Sequence, residues 1–253
     1  MLPLILPLDS GQVSLSLAGG KGANLAHLAN AGFPVPAGFL ITTQAYRRFV
    51  EANQMQEWIL ATAPDQPVSD PTILDNASSQ IRERFTSGTL PGDLERAIRE
   101  AYAALGSFPV AVRSSATAED LPEMSFAGQQ DTYLNILGEE ALIEAVMNCW
   151  SSLWTARAMG YRVRNGLSHK DLALAVVVQE MVSSEVSGVL FTANPLSGKR
   201  SEIVIDATLG LGEALVSGQV EPDQYVVDAG EQRILAGGEE FAQRHGGGHH
   251  LVQ

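Results

Sequence analysis

Cysteine, lysine and long apolar runs are scarce in this sequence, and each shortage excludes a class of protein. Cys149 is the single cysteine, so no disulfide can form within the chain. Lysine occurs only three times, and 16 basic against 29 acidic residues give a net charge of -13. That balance excludes a general surface for nucleic acid or anionic membrane, which needs clustered Lys and Arg. No apolar run approaches the ~18 residues that a membrane-spanning helix requires.

The N-terminal segment MLPLILPLDS is apolar but short, with two prolines and no basic residue. A secretory signal peptide begins with a positively charged stretch, so we do not predict one here. We therefore expect a cytoplasmic protein with no nucleic-acid or membrane partner. The sequence leaves the oligomeric state open.

The chain has 253 residues, 45 % of them apolar, which is enough for a sizeable core in one large domain or two smaller ones. Residues 53–104 look mostly helical, whereas β-rich runs are concentrated in the second half. This pattern predicts an α+β fold with a helical N-terminal region and a mixed β-sheet lobe. We predict an N-terminal lobe over residues 1–105, a core with a phosphate loop over 106–228, and an irregular tail over 229–253.

The segment LAGGKGANL places Lys21 among three glycines and directly before an amphipathic helix. Glycines let backbone N–H groups approach a ligand, and a helix N-terminus attracts anions, so the segment suits a phosphate. It is not a Walker A loop, because Leu15 stands where the first glycine would be. The alternative is a plain turn before a helix.

The segment VAVRSSATAED places Arg113 directly after the apolar run of a predicted strand, Val110–Ser115, and before hydroxyl side chains. Arginine can grip phosphate oxygens with two parallel N–H bonds, and Ser114, Ser115 and Thr117 could donate others. Glu119 and Asp120 could pair with Arg113 or help to bind a cation that accompanies phosphates. The alternative is a structural ion pair at the end of a strand.

Three further segments contribute candidate residues. Gly128 and Thr132 stand beside an expected strand, in either a lid over the phosphates or a plain β-hairpin. Gln179 follows a buried strand, where its amide could hydrogen-bond to the exocyclic amine of adenine. The alternative is that it forms the polar edge of that strand. Glu213 lies in GLGEALVSG, which lacks the third glycine of a dinucleotide fingerprint and predicts a tight turn holding a polar group in the site.

The sequence predicts neither a metal site nor an activated nucleophile. The five histidines show no spacing with acids or cysteine that would form a metal site, so none is predicted. No base stands near the hydroxyl-rich stretch, so no Ser-His-Asp site is predicted either. Cys149, in an apolar helical segment, is typical of a small buried hydrophobe.

Taken in order, these segments resemble the N-terminal nucleotide-binding domain of the phosphoenolpyruvate synthase and pyruvate phosphate dikinase family. The similarity covers roughly residues 15–228 and looks closest to the phosphoenolpyruvate synthase branch and the related rifampicin phosphotransferases. The matching segments are GGKGANLAHL, GFPVPAGFLIT, VAVRSSATAEDLPEMSFAGQQDTYLN, GVLFTANPLSG and ATLGLGEALVSGQVEPDQYVV.

The resemblance implies an ATP-grasp-type fold that binds Mg-ATP. It also implies a kinase-type reaction, in which a phosphoryl group passes to a histidine on a separate domain and then to pyruvate. By the same resemblance, Lys21 and Arg113 grip the phosphates and are the catalytic residues, while Gly128 and Thr132 belong to the lid. Gln179 then lies at the adenine end, and Glu213 is a softer assignment.

The sequence departs from the family after Asp228. The resemblance implies that the domain continues with an acidic pair holding Mg²⁺ and with a Gln and an Arg near the transferred phosphate, and nothing after Asp228 matches them. The phosphohistidine and pyruvate-binding domains are also without a match. We therefore expect a fragment, a truncated gene product or one part of a split enzyme, unable to complete the reaction alone. A rifampicin phosphotransferase domain and a non-catalytic nucleotide-binding module remain the alternatives.

Overall fold

The computed structural model describes residues 2–117, 132–231 and 233–237. The chain divides into two compact units, an N-terminal unit over Met1–Met181 and a C-terminal unit over Val182–Gln253. Both helices and antiparallel sheets are present, so the predicted α+β class is confirmed. The functional division predicted at residues 105 and 228 stays a prediction.

The N-terminal unit is built on an antiparallel sheet whose described strands run in the order β1-β2-β5-β3-β4. The strands are β1 Ile5–Pro7, β2 Gly38–Ile41, β3 Val110–Ala116, β4 Thr132–Ile136 and β5 Leu174–Glu180. The helices are α1 Leu15–Asn30, α2 Thr43–Ala52, α3 Gln56–Thr62, α4 Pro71–Thr86, α5 Gly92–Leu105, α6 Glu139–Ser152 and α7 Ala156–Arg164.

Strand β5 is buried on both faces, as its continuous apolar run predicts. Alternate residues of a strand face opposite sides of the sheet. Val176 and Val178 accordingly pack in the main core, and Val177 packs in a smaller cluster with Leu40 and with Ala18 of α1. Helix α1 therefore covers one face of the sheet, and the larger helical core covers the other.

The main core is centred on large aromatic side chains. Trp150 is fully buried and lies against Phe49, with ring centroids 5.2 Å apart, and against Tyr46 at 6.2 Å. Tyr46 accepts a hydrogen bond of 3.0 Å from the indole N–H of Trp154. Aromatic groups that bury this much apolar surface dominate the stability of a domain.

A buried polar pair joins α7 to the segment before β5. The Nε of Arg162 donates to Nδ1 of His169 at 3.1 Å, and His169 Nε2 lies 2.8 Å from the Pro64 carbonyl oxygen. Because Nδ1 accepts, Nε2 carries the hydrogen and the ring is neutral. Burial first, and the nearby Arg162 charge second, lower the pKa of His169, while burial lowers the pKa of Arg162 to about 10.

His169 is expected to make stability depend on pH. Its lowered pKa means that the unfolded chain binds more protons, so its contribution is complete above pH 6.5 and is lost as the pH falls through the folded pKa. Arg162 and Asp65 are the charged groups that act on the ring. We expect the difference in unfolding free energy between wild type and His169→Gln to shrink between pH 7.5 and pH 5. Urea unfolding measures it, and a difference that grows at low pH would contradict the assignment.

The C-terminal unit is an antiparallel meander with described strands in the order β6-β7-β8-β9. Its elements are β6 Val186–Phe191, β7 Glu202–Leu209, α8 Glu213–Val216, β8 Asp223–Asp228 and β9 Ile234–Gly237. The turn between β6 and β7 is held by Asn194. Its amide N–H donates to Glu202 at 2.7 Å, and its Oδ1 accepts from the N–H of Leu196.

Within the described residues, no helix has both the length and the apolar character needed to cross a membrane.

Candidate functional site

Helix α1 is broken at Gly19, within the glycine-rich segment. The turn Leu15–Ala18 is helical, Gly19 has φ 66° and ψ 177°, and the helix resumes at Gly20. This backbone conformation is open essentially only to glycine. A Cβ placed on Gly19 would also lie 2.2 Å from the carbonyl oxygen of Ser115 in β3. Both the conformation and the close approach therefore require glycine at this position.

The hydroxyl group of Ser115 bridges the two sides of this break. It donates to the carbonyl oxygen of Ala18 at 2.7 Å and accepts from the N–H of Gly22 at 3.1 Å. An N-cap side chain normally satisfies the third N–H of a helix. Gly19 has no side chain to do so, and Ser115 performs this role from a neighbouring strand.

A second hydroxyl group fixes the turn before the break. Thr43, at the start of α2, donates from Oγ1 to the carbonyl oxygen of Ser16 at 2.7 Å. Thr43 and Ser115 are both fully buried. The turn Leu15–Ala18 is thus held by side chains from two separate elements, and the point at which the helix resumes is fixed with it.

Gly22 lets α1 lie close to the sheet. A Cβ on Gly22 would lie 2.9 Å from Cδ2 of Leu40 and 2.9 Å from Cβ of Ala18. Packing therefore explains why this position is glycine. Lys21 lies between Gly20 and Gly22, in the first turn of the resumed helix, and its side chain is partly buried.

The strand register places Arg113 on the same face of the sheet as α1. Arg113 is paired with Thr132 of β4 and with Val177 of β5, and Val177 packs against α1. Gln179 is two residues beyond Val177 and so shares its face. Nη1 of Arg113 lies 3.4 Å from Oε1 of Gln179, which is a long hydrogen bond between diagonal neighbours.

Gln179 is buried and also contacts the proline-rich segment before β2. Its Nε2 lies 3.4 Å from the carbonyl oxygen of Pro36. The amide thus accepts from Arg113 with its oxygen and donates to Pro36 with its nitrogen. The residue predicted to meet phosphate and the residue predicted to meet adenine are therefore in contact with each other.

Four of the six predicted site residues are among the described residues of the N-terminal unit. These are Lys21 in α1, Arg113 in β3, Thr132 at the exposed start of β4, and Gln179 near the end of β5. Glu213 is exposed at the start of α8, in the C-terminal unit. The predictions for Gly128, Glu119 and Asp120 fall outside the described residues. Ser115, expected beside the phosphates, is instead bonded to α1 on both sides of the break.

The roles of Ser115 and Thr43 could not be read from their own segments. The sequence signal available was the cluster of glycines at 19, 20 and 22, since clustered glycines mark a turn or a break. Among the residues that the structure describes, no group of three or more His, Cys, Asp or Glu side chains could hold a metal ion.

Comparison with known proteins gives this arrangement a family context. The family described as pyruvate phosphate dikinase, AMP/ATP-binding domain, matches residues 15–244. A probable phosphoenolpyruvate synthase from Pyrococcus horikoshii is 45% identical over 86% of this chain and 31% of its own length. The phosphoenolpyruvate synthase of Aeropyrum pernix is 48% identical over 92% of this chain and 29% of its own length. A probable phosphoenolpyruvate synthase from Methanocaldococcus jannaschii is 49% identical over 85% of this chain and 18% of its own length.

Proposed function

This chain belongs to the pyruvate phosphate dikinase AMP/ATP-binding domain family, and on that premise we propose that it binds ATP through Lys21 and Arg113. The ATP-grasp-type fold predicted from the sequence is confirmed by this membership. One observation carries the residue assignment. The break at Gly19 starts a helix with Lys21 in its first turn, and that helix packs on the sheet face that bears Arg113.

The two cations act on phosphate in different ways. Arg113 presents a planar guanidinium that holds two phosphate oxygens at once, whereas Lys21 adds a compact point charge. The resumed helix contributes the positive end of its dipole next to Lys21. Both cations are partly buried, so solvent screens their attraction for an anion less than at an open surface.

The remaining site residues extend this proposal along the nucleotide. We assign Gln179 to the adenine end, Gly128 and Thr132 to a lid, and Glu213, by resemblance alone, to a polar contact with the nucleotide. These roles come from the family resemblance and from the positions of the matching motifs. The contact between Gln179 and Arg113 bears directly on the adenine assignment, because the two residues are assigned to opposite ends of ATP.

The proposal extends to phosphoryl transfer because the relatives are named phosphoenolpyruvate synthases. The chain spans 31% and 29% of the length of two of them. We propose that it supplies the ATP site for a pyruvate, water dikinase type of reaction, with a phosphohistidine domain and a pyruvate-binding domain as partners, in the cytoplasm. Mg²⁺ would neutralise developing charge on the phosphates. Among the described residues, no group of three or more His, Cys, Asp or Glu side chains could hold this ion.

ATP binding is tested with two of the three lysines of the chain. Lys21→Ala is expected to weaken Mg-ATP binding by about 1.5 kcal/mol, roughly tenfold in Kd, because a charged hydrogen bond to phosphate is lost. Lys170→Ala is the matched control, since Lys170 is exposed in the same unit and lies outside the glycine-rich segment. Isothermal titration calorimetry measures both.

Two results would count against the proposal. Absence of binding at millimolar Mg-ATP would remove the proposed function altogether. Equal changes in Kd for Lys21→Ala and Lys170→Ala would leave ATP binding in place but remove Lys21 from the site.

A non-catalytic nucleotide-binding module is the second candidate function. The observation that favours it is the absence of an acidic metal cluster among the described residues. Both candidates bind ATP, so calorimetry does not separate them. Formation of AMP identifies the transferase when a phosphohistidine domain, pyruvate and a segment carrying the missing acidic pair, Gln and Arg are supplied in trans. Absence of AMP from that complete mixture, with ATP bound, identifies the module.

A further inference from the structure

We propose that Ser115 is a positioning residue that sets the place of Lys21, and that it is not a phosphate ligand. The inference rests on the proposed ATP site and deepens it. It starts from the two hydrogen bonds by which Ser115 joins the end of one helical turn to the start of the next.

The hydroxyl of Ser115 has no hydrogen left for a phosphate. A serine hydroxyl carries one hydrogen and can donate only once. Ser115 donates that hydrogen to the Ala18 carbonyl oxygen at 2.7 Å. A phosphate oxygen accepts hydrogen bonds and offers none to the hydroxyl oxygen, which in any case already accepts from Gly22. The side chain is also fully buried.

Nothing local can replace Ser115 at the break. Gly19 occupies the N-cap position and has no side chain, so it cannot satisfy the N–H of Gly22. Without the Ser115 hydroxyl, the Ala18 carbonyl group and the Gly22 N–H would both be buried without this partner. The direction in which the helix resumes, and with it the position of Lys21, therefore depends on Ser115.

One strand consequently controls both cations of the proposed site. Arg113 and Ser115 are two residues apart on β3 and lie on the same face of the sheet, roughly 6.6 Å apart along the strand. Arg113 projects from β3 itself, whereas Lys21 is held through the Ser115 hydroxyl. The backbone positions that carry the two cations are thereby set by one strand.

A double-mutant cycle tests this role. Ser115→Ala is expected to weaken Mg-ATP binding five- to tenfold in the wild-type background, and less than twofold in the Lys21→Ala background. Residues that act through one another give non-additive effects of this kind. A direct phosphate ligand would instead give the same factor in both backgrounds, and that result would overturn the proposal.

Ser152→Ala is the matched control for lost stability. Ser152 is a buried serine of α6 whose hydroxyl donates to the Cys149 carbonyl oxygen at 2.6 Å. It lies with the main core, on the opposite side of the sheet from α1. We expect Ser152→Ala to lower the melting temperature and to leave the Kd for Mg-ATP unchanged within twofold.

Amide hydrogen exchange tests the same inference without nucleotide. The Gly22 amide should be protected in the wild-type chain, and Ser115→Ala should raise its exchange rate at least tenfold, whereas Ser152→Ala should not. An unprotected Gly22 amide in the wild type would overturn the inference even if Ser115→Ala failed to fold. Failure of the wild type to bind Mg-ATP would remove the proposed function, and the exchange rate of Gly22 would still decide whether Ser115 holds the break.

Discussion

Gly19→Ala is expected to lower the free energy of unfolding by about 3 kcal/mol or more. The new Cβ would force an alanine into a glycine-only conformation, which costs about 1–3 kcal/mol. It would also lie 2.2 Å from the backbone oxygen of Ser115, which cannot rotate away as a side chain can. Overpacking of this kind adds about 1–3 kcal/mol. If the chain still folds, the break must move, and Mg-ATP affinity should fall with it.

Gly11→Ala is the control for this substitution. Gly11 is exposed, its φ lies outside the left-handed range, and a Cβ there would meet no atom within 4 Å. Such a substitution is expected to be neutral or to stabilise by about 0.4–1 kcal/mol, because alanine has fewer unfolded conformations. Urea denaturation compares the two variants. Similar midpoints for Gly19→Ala and Gly11→Ala would show that the break at Gly19 is not as described.

Arg113→Ala should weaken Mg-ATP binding by about 3 kcal/mol, which is more than 100-fold in Kd. The loss exceeds that for Lys21→Ala because a guanidinium holds two phosphate oxygens in parallel. Arg113→Lys keeps the charge but loses the fork geometry, so it should recover only part of the affinity. Full recovery by lysine, measured by calorimetry, would show that Arg113 contributes charge alone.

The contact between Arg113 and Gln179 makes a companion variant informative. In the described structure the two side chains lie 3.4 Å apart, whereas adenine and the terminal phosphates stand at opposite ends of ATP. Both assignments therefore hold only if this contact opens when ATP binds. Gln179→Ala should then narrow the preference for ATP over GTP. Equal weakening of ATP and GTP would instead place Gln179 near the phosphates, beside Arg113.

Elements whose signals are local were predictable from the sequence. Residues 53–104 are mostly helical and the β-rich runs of the second half form strands, as the sequence pattern predicts. The register that brings Arg113 near Gln179 was not predictable, because it depends on how three distant segments pair.

The glycine-rich segment shows why the packing of α1 on the sheet could not be predicted from the sequence. Its glycines pointed to a backbone that approaches a ligand, and the motif did mark a family. Gly19 and Gly22, however, are glycine because Ser115, Leu40 and Ala18 lie too close for a side chain. Leu40 lies in β2 and Ser115 lies in β3. The need for glycine at these positions is therefore visible only in the assembled fold. The sequence marked this segment as unusual, but it could not distinguish a packing requirement from a binding requirement.

The bridge between Ala18 and Ser115 also bears on the order of folding. It joins residues that are 97 positions apart in the chain, so it can form only after β3 has docked beside β5. Long-range contacts of this kind form late, because the entropy of loop closure must first be overcome. Lys21 would therefore reach its position only once this long-range contact has formed. Nucleotide would bind the finished fold alone, and its presence would shift the folding equilibrium toward that fold by mass action.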